Sequence, residues 1–223
     1  MIEMMTLCCL AFGFSLVARL LFTSTDRKPK LLLGLFVLIL TGCMVEIFIK
    51  SYLVGAILAT GYWLLGPLLY FYCSLRTTPA KDFSTSSVLH ACPAAAYLLL
   101  LTIPQGLFST LTLSIADIVL YELVFIHILT YFILALRLGL AKRKQLQKSA
   151  SLQEQMQCAF LIFLPLASVL LFGFSFLGVN FSLISNVPVG EYFRNMVQAS
   201  LTIIIIFIAL LNTETRPTNI ASG

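Results

Sequence analysis

The feature that most limits what this chain can become is a proline, Pro67, set inside the apolar run Trp63-Leu64-Leu65-Gly66-Pro67-Leu68-Leu69-Tyr70. Proline has no backbone N–H, and its ring crowds the carbonyl four residues earlier, so in water it would break a helix. In a bilayer the backbone has few alternatives to the helix, because every N–H and C=O must be satisfied within protein. A membrane helix tolerates such a proline when a neighbouring helix re-satisfies the freed carbonyl. The stretch from Trp63 to Pro93 therefore reads as the end of one membrane helix, a short basic loop and the start of the next.

Composition supports that environment. Of 223 residues, 60% are hydrophobic and 10% charged, against about 25% charged in soluble domains. Such a chain cannot cover a water-facing surface. The expected fold is an all-α polytopic membrane protein, one transmembrane domain over 1–211 and a short polar tail over 212–223. A net charge of +5 would suggest nucleic acid in a soluble protein. Here the basic residues fall where cytoplasmic loops belong, so the expected partner is the lipid bilayer and no direct nucleic-acid contact is expected. The N-terminal run carries Glu3 and no basic n-region, which reads as a retained first span. The six cysteines lie in or beside apolar runs and read as small hydrophobes. No C-x-x-C pair occurs, so no metal site is expected.

Crossing the hydrocarbon core takes roughly 20 apolar residues per helix. Seven runs qualify: 4–22, 31–49, 56–75, 87–103, 115–138, 157–178 and 193–211. Spans two and three are so close that Lys50 to Gly55 must form a tight turn. With the N-terminus outside and the C-terminus cytoplasmic, twelve of the 14 Lys and Arg residues fall on the inner side. Only Lys50 and Arg194 are left outside, and the positive-inside bias sets that orientation. Arg76 and Lys81 between spans three and four, and Lys142, Arg143 and Lys144 after span five, are the candidate cytoplasmic coupling residues. The second cluster reads as a topology anchor against anionic headgroups or as a docking point for a cytoplasmic partner.

Ionisable groups within a span are costly and so are candidate functional residues. Glu46 and Glu122 both fall in the outer half of the bilayer. Tyr62, Trp63 and Tyr121 lie at similar depth, and Arg194 opens span seven from the same side. Together these six form a candidate ligand-binding pocket, acidic and aromatic, open to the outside. The alternative reading makes Asp117 and Arg194 interfacial residues and the Tyr and Trp side chains an aromatic belt.

The two histidines differ in depth. His90 lies near the inner end of span four and His127 near mid-span, about 10 Å apart along the membrane normal, so one metal or haem is not easily held by both. No cofactor is expected. No HExxH, phosphate loop or nucleophile elbow occurs, and no enzyme activity is expected. Gly55, Gly61, Gly66, Gly173 and Gly178 read as points of close helix approach, and Pro165 as a second kink.

The segment Gly66-Pro67-Leu68-Leu69-Tyr70, followed by His90 and Pro93, resembles the membrane-embedded seven-helix sensory domain of AraC-type transcriptional regulators. The likeness continues through Tyr131-Phe132-Ile133-Leu134-Ala135-Leu136-Arg137 into the basic segment, with Ser151 and Glu154 placed as in such chains. It implies an N-out bacterial inner-membrane sensor. The family's usual tryptophan before span six is missing, and the dozen residues after Leu211 are too few for a helix-turn-helix domain. The expectation is therefore a sensor-like protein that detects a ligand or membrane condition and signals through a cytoplasmic partner, with a homodimer admitted. The alternatives are a three-plus-one-plus-three small-solute transporter and an accessory subunit of a membrane complex.

Overall fold

Pro67 sits inside one continuous helix, α3 (Tyr52–Thr77), and the other helices are arranged around it. The computed structural model describes residues 2–22, 27–45, 52–78, 87, 89–101, 110–146, 150–185, 199–200 and 202–206. Among these residues every element is a helix and no strand occurs. Helices α1 (Ile2–Phe22) and α2 (Arg27–Val45) precede α3. A 3-10 turn (Leu89–Ala91) leads into α4 (Cys92–Leu101), and α5 (Thr110–Gln145) and α6 (Leu152–Ser185) follow. Helical residues also occur at 199–200 and 202–206.

Helix directions follow from which residues meet. Trp63 and Tyr70 of α3 meet His127 and Tyr131 of α5 in the same order, so these two helices run parallel. Tyr62 and Tyr72 meet Phe172 and Phe160 in reverse order, which makes α6 antiparallel to α3. Trp63 and Phe71 meet Tyr97 and His90, so α4 is antiparallel to α3 as well. Gly61 faces Ile39 and Gly42 faces Leu58, which sets α2 antiparallel to α3. This up-and-down alternation brings Arg76, Lys142, Arg143, Lys144 and the start of α6 to one end of the bundle.

The interior is mainly apolar, but large apolar side chains also cover the outside. Phe22, Leu99, Leu177, Ile126 and Phe163 are exposed, while the hydroxyls of Thr41, Thr60, Ser74, Ser168 and Thr202 are buried. Small hydroxyl residues inside and large apolar ones outside suit helices packed in lipid. Among the described residues three helices are long and apolar enough to cross a membrane, over Ile57–Thr77, Val119–Gln145 and Leu152–Gly178. Leu7–Phe22 and Leu89–Leu101 are shorter apolar helices. Of the three long spans, that in α3 is the most enclosed. Leu65, Leu69 and Tyr72 join Phe36 of α2, Phe132 of α5 and Leu164 and Phe172 of α6 in one buried core.

Three sequence expectations are corrected. Tyr52 to Gly55, expected in a tight turn, belong to α3. Lys142, Arg143 and Lys144, expected in a loop, form the last turn of α5, where cations interact favourably with the negative end of the helix dipole. Gly173, expected at a close approach, has no heavy atom within 4 Å of where a Cβ would stand.

The short link between α5 and α6 is closed by a capping box. The Ser151 amide donates to Glu154 Oε2 at 2.9 Å, its hydroxyl donates to the same oxygen at 3.0 Å, and the Glu154 amide donates back to Ser151 Oγ at 3.3 Å. Each bond satisfies a group the first helical turn would leave open. Ser151→Ala is expected to lower stability by about 1 kcal/mol, read as a modest fall in thermal midpoint in detergent, with no change in the packing of α3.

Candidate functional site: an aromatic and histidine node at the α3 kink

Pro67 has no N–H to give to the carbonyl of Trp63, four residues earlier. That carbonyl is instead met by α5: His127 Nε2 lies 3.2 Å from Trp63 O. A carbonyl oxygen only accepts, so Nε2 carries the hydrogen and His127 Nδ1 is left as an acceptor when the ring is neutral. The sequence requirement that a neighbouring helix re-satisfy the kink is thus met by a named residue. His127 also lies against the Trp63 indole, ring centroids 5.3 Å apart.

The second kink is served by the same helix. Pro165 of α6 frees the carbonyl of Leu161, and that oxygen stands directly against the Gly139 α-carbon, since a Cβ there would come to 2.5 Å from it. This is the arrangement of a Cα–H···O contact. In return the Cys158 thiol lies 3.8 Å from the Gly139 carbonyl. Helix α5 therefore receives both carbonyls freed by proline, one at His127 and one at Gly139.

Around His127 the rings converge. Tyr131, one turn further along α5, lies 4.9 Å from it between centroids. His90, in the 3-10 turn before α4, hydrogen-bonds through Nδ1 to the Tyr131 hydroxyl and packs edge-on against Phe71 at 5.2 Å. Tyr70 lies 5.9 Å from Tyr131, and Tyr97 of α4 lies 6.2 Å from Trp63. Gly66 makes the approach possible: a Cβ there would stand 2.9 Å from Tyr131 Cβ and 3.2 Å from the Ile128 α-carbon. The two histidines, about 10 Å apart in depth by sequence, both reach the same phenol because Tyr131 bridges the step between them.

Trp63 is 8% exposed, and its Nε1–H has no acceptor among the described residues. A buried donor left unmade costs on the order of 1–3 kcal/mol, so the node holds one open polar group. Among the described residues no group of three or more His, Cys, Asp or Glu side chains is gathered as a metal site requires.

The six residues of the sequence-derived pocket are placed as follows. Trp63 faces the node. Tyr62, the next residue back, turns to α6 and meets Phe172 edge-on at 6.3 Å. Tyr121 stacks at 8° on Phe176, one turn along α6 from Phe172. Glu122 is half-buried on α5. Glu46 and Arg194 lie outside the described residues, as does the side chain of Asp117. Of the coupling residues, Arg76 holds its guanidinium 5.9 Å over the Tyr72 ring, and Lys142 is half-buried beside exposed Arg143 and Lys144. Lys81 lies outside the described residues.

Sequence reasoning missed His127 as the partner of the kink, and Gly139 altogether. The signal for the first was present: a freed carbonyl at Trp63 needs a donor, and a histidine in mid-span is one of few such donors the apolar helices offer. Comparison of the chain with protein-family models, with curated proteins and with solved structures finds no match.

Proposed function

We propose that the chain is a sensor-like protein of a bacterial inner membrane, with seven spans, its N-terminus outside and its C-terminus in the cytoplasm, that passes a signal to a cytoplasmic partner. The observation that carries this reading is the bond from His127 to the Trp63 carbonyl. It ties a kinked, buried helix to the helix whose last turn bears Lys142, Arg143 and Lys144. A change at the node alters how α3 bends, and because α3 and α5 run parallel, the change is delivered to their basic ends together. The gathering of basic residues at one end of the bundle agrees with an inward-facing coupling surface. The likeness of Gly66–Tyr70, His90 and Tyr131–Arg137 to AraC-type sensory domains favours sensing over catalysis. A signal moves such a bundle only if it binds one arrangement better than the other.

The test is genetic. The gene is deleted in its host, or replaced by His127→Ala, or by a variant with Lys142, Arg143 and Lys144 all changed to alanine. Both variants, present at wild-type abundance, are expected to reproduce the transcript changes caused by the deletion. A deletion that leaves transcripts unaltered and abolishes uptake of a small solute would overturn the sensor in favour of a three-plus-one-plus-three transporter.

A further inference from the structure

Both histidines of this 223-residue chain contact one tyrosine. His90 bonds to the Tyr131 hydroxyl, and His127 packs against the Tyr131 ring. Each imidazole also lies against a second aromatic ring, His127 against Trp63 and His90 against Phe71. We propose that His90, Tyr131 and His127 form a binding node for a single proton, and that its occupancy is the condition the bundle senses. The inference rests on the sensor reading for its use, while proton binding stands by itself.

The groups around the node decide how it titrates. From α3 it is faced by Trp63, Tyr70 and Phe71, from the turn by His90, from α4 by Tyr97 and from α5 by Tyr131. The titratable members besides the imidazoles are phenols, which stay neutral at physiological pH. The described charged groups on these elements lie away from the node. Glu122 precedes His127 by five residues and lies roughly 140° around the helix. The Arg76 guanidinium is over Tyr72. Arg137, Lys142, Arg143 and Lys144 lie further along α5, past Tyr131. Among the described residues the node thus gathers two imidazoles with no charged side chain packed against them.

A proton from hydronium adds to a ring nitrogen lone pair and leaves water behind. Both nitrogens of that ring are then donors. On His127 the proton enters at Nδ1, and the bond from Nε2 to the Trp63 carbonyl is kept and becomes charge-assisted. On His90 the proton leaves Nδ1 a donor, so the Tyr131 oxygen accepts. In either case the cation lies beside aromatic rings. A second proton would place two like charges on opposite sides of one phenol in a poorly screened interior, and it is resisted. Tyr131 abuts Gly66, so the node lies against the turn of α3 that carries Pro67.

The experiment uses the full chain in lipid nanodiscs with 15N-labelled histidine, followed by NMR from roughly pH 5 to pH 9, the range in which histidine changes charge. Two histidines give two imidazole signal sets, assigned with His90→Gln. One imidazole is expected to titrate while the other stays neutral to the acid end. Tyr131→Phe, which keeps the ring and removes the hydroxyl, is expected to move the titrating midpoint. His127→Gln, which retains a donor for Trp63 but cannot take a proton, is expected to leave His90 titrating alone. Two independent titrations in the wild type, or none in this range, overturn the proposal and leave the sensor reading to its genetic test. A single coupled titration supports it whatever that test gives.

Discussion

Gly139→Ala is expected to be among the most destabilising single-methyl additions in the chain. The new Cβ would stand 2.5 Å from the Leu161 oxygen and 2.9 Å from its carbonyl carbon. Both atoms are backbone, so no side chain can swing aside, and α5 and α6 must move apart along their shared length. Separation also stretches the Cys158 contact to the Gly139 carbonyl and uncovers a carbonyl that Pro165 has already deprived of its helical partner. The cost falls at the upper end of the ~1–3 kcal/mol of overpacked cores, a fall of roughly 5–10 °C in the thermal midpoint for a chain of this size. Gly173→Ala is the control. It lies in the same helix pair with open space around it and is expected to stay within about 0.5 kcal/mol of the wild type. Equal midpoints for the two variants would mean that the close contact at Gly139 does not exist in the folded protein.

The second large effect is a coupling. His127→Ala leaves the Trp63 carbonyl with no donor in an apolar interior, at a cost of about 1–3 kcal/mol. In a Pro67→Ala background residue 67 regains an N–H, which can close the helical bond to Trp63. There the same His127→Ala change is expected to cost less than about 1 kcal/mol. The double-mutant cycle should therefore return an interaction energy of about 1–2 kcal/mol between two residues of different helices. His127→Gln, whose amide also donates, should recover part of the loss. Additive effects of Pro67→Ala and His127→Ala would show that the histidine does not cap the kink.

Particular residues show how far the chain could be read before its structure. The Pro67 run announced both a membrane helix and an orphaned carbonyl, and it required a donor from another helix. Which donor was hidden, because His127 is 64 positions from Trp63 and hydropathy carries no information on which helices touch. Gly139 and Gly173 look alike in sequence, each a glycine in an apolar helix. One is pressed against a backbone carbonyl and the other borders open space, a difference set entirely by the α5–α6 crossing. A basic cluster such as Lys142 to Lys144 suggests a loop because charge ends a hydrophobic run, yet lysine and arginine are good helix formers and α5 continues through them. For the site, the aromatic residues Tyr62, Trp63 and Tyr121 are legible in the sequence as a set in the spans. Their division between α6 and the node is not, since neighbours in a helix point about 100° apart.

The place of the donor for α3 on a helix made later bears on how the protein is assembled. When Trp63 is added to the growing chain, the residue that will satisfy its carbonyl is still 64 positions from being translated. An uncapped carbonyl in hydrocarbon costs several kcal/mol, so α3 has reason to linger in a protein-lined or hydrated exit until α5 arrives. The converse holds for Leu161 of α6, because Gly139 is already made when its carbonyl enters. A chain cut off before Thr110 should therefore hold α3 poorly in the membrane, whereas α5 and α6 can close on each other as they are born.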